Sequence, residues 1–242
     1  MSLGRKIVFV LCLIVFVGSA GMLLNYFLTG MREQSSLEDL AKLKTEREDM
    51  KTDKGTVIGK YVDLYEANSD IIGWITVDGT KIDYPVMQTQ DDPEFYLRRN
   101  FQKEHATAGV PFMDASSDIF VPTSNFLIYG HNMKNGSMFK DIVKYKDEEY
   151  FKEHQDITVY TPEREYHLRP MSVLYTEPTG MRRKTKFATE ESFQAYVEEM
   201  TKGCDFAQIP EKPLEQLWSF ITCSYEFNDA RTILYAYEAA EE

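Results

Sequence analysis

Residues Ser219 to Tyr237 read "SFITCSYEFNDARTILYAY", with one cysteine and one arginine set between two strand-like runs. Along "LWSFITC", Leu217, Ser219, Ile221 and Cys223 fall on one face of a strand and Trp218, Phe220 and Thr222 on the other. Cys223 closes that strand, and Arg231 opens "TILYAY" after the connection Ser224 to Ala230. If the two runs pair antiparallel, their facing ends bring a thiol and a guanidinium into one small volume. The plain alternative for Arg231 is an ion pair with Asp229 or Glu226.

Working outward, the same pattern recurs. "IIGWITV", Asp78-Gly79 and "TKIDYPVM" form a hairpin signal, since Asp-Gly accepts the positive φ angles of a tight two-residue turn. "AGVPFMD", "SNFLIYG", "DITVYTP" and "YHLRPMSVLYTE" add short strands divided by Gly, Pro, Asn and Asp. Many short strands with few helices predict a mainly β fold, a sandwich or a closed barrel. Helices are expected at Val57 to Asp70, at Met138 to Lys152, and over Thr189 to Gly203, with Thr189 as N-cap and Gly203 as C-cap.

The N-terminal end differs. After Arg5 and Lys6, "IVFVLCLIVFVGSAGMLLNYFL" (Ile7 to Leu28) carries no charge, and one helical crossing of a bilayer needs about 20 residues. The basic pair before it and the acidic residues from Glu33 to Asp39 predict a cytoplasmic N-terminus, with the rest outside. A cleaved signal peptide ending near Ala20 is the alternative; the apolar run continues past that point, which favours the anchor. Residues 1–6 are thus a cytoplasmic tip, 7–28 a transmembrane helix and 29–56 an extracellular stalk. Residues 57–242 are the globular domain. Ser35 and Glu38 pair as a capping box for a helical stalk, while "KTEREDMKTDK" reads equally well as a solvated linker.

With 242 residues and 43% apolar side chains the chain can bury one good-sized core. A net charge of −12 argues against nucleic acid as a partner. Three cysteines are too few and scattered for a disulfide framework or a metal knuckle. The acidic residues are spread along the chain, and neither a metal nor a cofactor is expected.

Of four histidines, His105, His154 and His167 sit among charged or alternating residues and read as surface or turn positions. His131 ends the apolar run "NFLIYG" and opens a Gly- and Asn-rich loop, a place where functional groups are mounted on a rigid strand. A thiolate attacking a carbonyl builds negative charge on oxygen, and a fixed donor aimed at it contributes about 3 kcal/mol. Arginine suits that task because it stays charged and holds its donors in a rigid fork. A histidine pairs with the thiolate and protonates the leaving amine. Cys204, after a helix-stop glycine, reads as an inert thiol, and Cys12 as bulk in the apolar run.

"SFITCSYEFNDARTILYAY" resembles the catalytic strand and loop of the sortases, and "NFLIYGHNM" their histidine segment. "YGHNM", "CSYEFNDAR" and the helix between Thr189 and Gly203 resemble class B most. The likeness runs from about Val57 to Glu238, and the anchor with its stalk also fits. It implies a closed β-barrel of sortase type with inserted helices, and it gives His131, Cys223 and Arg231 the catalytic positions. Support is expected from Thr222, Ser224 and Asp229, the last either orienting His131 or, more simply, capping the loop. Where the family usually has Thr-Leu-x-Thr-Cys, this chain has Ser219-Phe220-Ile221-Thr222-Cys223, a difference that bears on peptide preference.

The resemblance further implies a membrane-anchored cysteine transpeptidase acting on surface proteins that carry LPxTG- or NPxTG-like sorting signals. It would cut after Thr, hold a thioester on Cys223 and pass the acyl group to the amine of a lipid-linked peptidoglycan precursor, or to a pilin lysine. The cysteine and histidine are expected to titrate as a coupled pair. Groove-lining residues are expected within Thr176 to Lys202. Two alternatives stand beside it: a secreted cysteine hydrolase with the same triad, and an inactive surface module in which the three residues are unrelated.

Overall fold

The computed structural model describes residues 3–52, 55–162, 164–224 and 229–239. The chain divides into two units, Met1–Asp39 and Leu40–Glu242. The first is carried by helix α1 (Leu3–Ala41), whose apolar stretch is exposed and long enough to cross a membrane. Ser35 lies inside this helix, so it caps nothing. With no Gly or Pro between Met31 and Ala41 to break the ladder, the helix runs straight through, and Gln34 instead bonds Glu38 at 3.4 Å.

In the second unit a small hairpin, β1 (Met50–Thr52) and β2 (Gly55–Val57), precedes α2 (Val62–Ala67). The segment before the hairpin is tied down by charge: Lys44 bonds Asp83 at 3.1 Å and sits 3.9 Å over the Trp74 ring, while Arg47 pairs with Asp63 and Glu66.

Eight further strands close a barrel. They are β3 (Ile71–Val77), β4 (Asp83–Met87), β5 (Phe112–Met113), β6 (Asn125–Tyr129), β7 (Ile157–Tyr160), β8 (Glu165–Thr176), β9 (Leu217–Cys223) and β10 (Arg231–Glu238). Around the barrel they run β10-β8-β7-β3-β4-β5-β6-β9, and β9 pairs with β10 to close it. Every strand expected in the globular part is present. The β3–β4 turn is wider than two residues, because the Val77 N–H bonds the Ile82 carbonyl; Gly79 still takes the positive φ of 75° that Asp-Gly signals. Pro170, inside β8, sits where the register with β10 slips between Tyr235 and Ala236, so its missing N–H costs no regular rung.

Both faces of β9 are buried. Inside the barrel, Trp218 packs 4.5 Å from Phe126 and 4.9 Å from Tyr166, and Phe220 meets Phe139 edge-on. Outside, helix α4 (Glu190–Thr201) lays Phe193, Tyr196, Val197 and Met200, one helical stripe, over Leu217, Ile221, Ile233 and Tyr235. Burying each such side chain is worth about 1.5–3 kcal/mol. Thr189 caps α4 in reciprocal bonds with Ser192, and Gly203 follows it at φ 82°. The other expected helical stretch divides into a 3-10 turn, Asp141–Lys146, and α3 (Glu148–Glu153).

Candidate active site

Strand register decides what meets at the barrel's end. Cys223 and Arg231 are direct partners across β9 and β10. On the other side of β9, the parallel pairing runs from Asn125↔Leu217 to Tyr129↔Ile221, and the Gly130 N–H to Ile221 carbonyl bond (3.1 Å) carries it one residue on. His131 therefore arrives beside Cys223. Alternation turns His131, Cys223 and Arg231 to the outer face, one row beyond Tyr129, Ile221 and Ile233. All six line one cleft of about 600 Å³.

Local chemistry sets each member. Gly130 lies between Tyr129 and His131, and a Cβ there would stand 2.6 Å from the buried Phe139 ring, so only glycine lets β6 run flush over the core at this point. The Nε2 of His131 lies 2.9 Å from the Leu97 carbonyl. A carbonyl can only accept, so Nε2 carries the proton and Nδ1 is left as the free nitrogen of the neutral ring. Burial lowers the His131 pKa, the Leu97 carbonyl opposes this, and the Arg98 cation adds to the lowering.

The Nη1 of Arg231 donates to the carbonyls of Asp229 (2.9 Å) and Ala230 (3.1 Å). This fixes the guanidinium, and among the described residues its Nη2 and Nε make no other hydrogen bond. Asp229 adopts φ 59°, a left-handed conformation Asp tolerates better than most residues. Its side chain is exposed and makes no hydrogen bond among the described residues, so Asp229 serves the loop and Arg231 through its backbone. Glu226 lies outside the described residues. Thr222 and Ser224 are buried at 2% and 4% exposure; Thr222 pairs with Thr232 across β9 and β10 and, next to Cys223, also lines the cleft.

The other histidines and cysteines lie elsewhere. His154 stacks on Tyr150 at 3.7 Å, and His167 lies near Glu165 on the surface. Cys204 is held against the Met200 carbonyl, and burial pushes its thiol pKa up. Thr176 at the end of β8 and Glu177, Arg182 and Arg183 of the β8–α4 connection line the cleft, within the stretch read as groove from the sequence. Its opposite wall, Glu94 and Leu97 before β5 and Asp114 just after it, carries no periodic or motif signal; only the fold brings it there.

A family model described as the sortase domain matches residues 75–239. The chain belongs to the sortase family. Sortase B of Listeria monocytogenes is 30% identical over 194 residues, covering 80% of this chain and 78% of that one. The crystal structure of Clostridium perfringens sortase B is 32% identical, covers 74% of this chain and 98% of its own, and superposes with a TM-score of 0.68. That of Bacillus anthracis sortase B is 26% identical, covers 89% and 100%, and gives 0.78. This sortase is therefore of class B, a cysteine transpeptidase.

Proposed function

We propose that this sortase uses Cys223 as nucleophile, His131 as proton carrier and Arg231 as oxyanion donor. The observation that carries the assignment is the register match of Cys223 with Arg231, with His131 on the same cleft wall. The Cys223 thiolate attacks the carbonyl carbon of the sorting-signal threonine. A C–S bond forms as the carbonyl electron pair moves to oxygen, facing the Arg231 guanidinium. When that pair returns, the C–N bond breaks and the leaving amine takes a proton from Nδ1 of the His131 imidazolium. An acceptor amine then attacks the thioester, gives a proton to His131 and expels the Cys223 thiolate. The ring keeps its Nε2–H on Leu97 throughout, so one nitrogen serves both transfers.

The substrates are surface proteins with LPxTG- or NPxTG-like signals, and the acceptor is a lipid-linked cell-wall precursor. Residues 7–28 anchor the enzyme, residues 29–56 connect it, and residues 57–242 act outside the cell. The test is to incubate the detergent-solubilised chain with LPxTG, NPxTG and SPxTG peptides plus an amine, with mass spectrometry as readout. A peptide–acceptor adduct from wild type and none from Cys223→Ala is the expected result. Cleavage with water as the only acceptor would overturn transpeptidation, and an adduct from Cys223→Ala would overturn the nucleophile.

A further inference from the structure

Across the cleft from Cys223 lies a carboxylate that the chemistry above does not use. Asp114 follows β5, and its own N–H bonds the Leu127 carbonyl at 2.9 Å, so its backbone is part of the barrel edge. Only 12% of its side chain is exposed. One oxygen accepts from the Ser116 N–H (2.9 Å) and hydroxyl (2.7 Å); the other accepts from the Tyr129 hydroxyl (2.9 Å) and from Arg183 (3.0 Å). Burial opposes ionisation, but these donors outweigh it, and the carboxyl is held below its usual range.

The partners of Asp114 stand on opposite banks of the cleft. Tyr129 belongs to the row directly behind His131, Cys223 and Arg231. Arg183 ends the 3-10 turn Gly180–Arg183 in the β8–α4 connection, and its guanidinium also lies 5.5 Å over the Tyr129 ring. Otherwise that turn is bonded to its own side of the cleft: Arg182 reaches Thr176, at the end of β8, and Met200 on α4. Arg183 reaches the β5–β6 bank through Asp114 and Tyr129, and just past the turn Asn125 on β6 donates its side-chain amide to the Lys184 carbonyl (3.1 Å) and its N–H to the Thr185 carbonyl (3.3 Å).

We propose that Asp114 is a positioning residue for the sortase reaction, holding the Gly180–Arg183 turn of the β8–α4 connection across the cleft through Arg183 so that the groove is shaped before the peptide arrives. The proposal rests on the functional reading above. A tether of this kind acts on peptide binding rather than on bond making, because neither group is in the row that carries Cys223.

The experiment uses the full chain in detergent with Arg183→Gln, Asp114→Asn and Arg183→Lys. Arg183→Gln and Asp114→Asn are each expected to raise KM about fivefold with kcat within about twofold, as loss of binding without loss of chemistry requires. Arg183→Lys, which keeps the charge but not the fork, should fall between them and wild type. Amide hydrogen exchange over residues 177–184 should quicken in both uncharged variants while that of α4 and β9 stays unchanged. Unchanged KM and exchange would overturn the proposal, and so would a general rise in exchange with a lowered Tm, which marks a merely structural pair. If wild type makes no adduct with any peptide, the functional reading falls by itself, and the exchange measurement still decides the tether.

Discussion

At the scale of single residues, the cleft depends on atoms that fix charge and tautomer. Arg231 is held by two loop carbonyls, and an ammonium in its place cannot bond them and still present a planar fork. Arg231→Lys should therefore lower kcat about 100-fold with an unchanged thermal midpoint; near-normal turnover would remove the oxyanion role. His131 makes a second, pH-dependent case. Its folded pKa lies below the ordinary value, so on acidification the unfolded chain takes up the proton first. The contribution is complete above about pH 6.5 and is lost as pH falls below it. Wild type should lose more stability than His131→Gln between about pH 7.5 and about pH 5.5 in thermal melts; parallel losses would sink the argument.

At the scale of elements, the site depends on β6 running flush past the core before it releases His131. Gly130→Ala would press a methyl against Phe139, whose ring is fully buried. Overpacking of this kind costs about 1–3 kcal/mol, and denaturant unfolding should show that loss together with reduced turnover, because the strain falls next to His131. Most of the strands were legible because alternation between faces is a property of local sequence. The two-residue β3–β4 turn and the Ser35 cap were not, since turn width depends on which carbonyl Val77 can reach and a cap exists only where the helix stops. The cleft wall from Leu97 and Asp114 was illegible for another reason: its members do their work through a carbonyl and a cross-cleft ion pair, and neither has a spacing.

At the scale of the whole molecule, the exposed apolar stretch of α1 and the basic pair before it give the proposed topology a direct test. In protoplasts of the producing bacterium, external protease should digest the part after Leu28 and leave a membrane-bound stub containing Arg5 and Lys6. A fully protected chain would reverse the orientation. The sequence by itself determined the apolar segment, the β-rich domain, its helix α4 and the three candidate residues His131, Cys223 and Arg231. These follow from hydropathy, periodicity and side-chain chemistry, all written locally, with the family resemblance joining the three. That His131 stands beside Cys223 was decided only by the tertiary structure, because β6 and β9 are far apart in sequence and a parallel register between such strands depends on closing the barrel. The same closure brings Leu97, Asp114 and Arg183 around that row, where burial and scarce partners make each contact count.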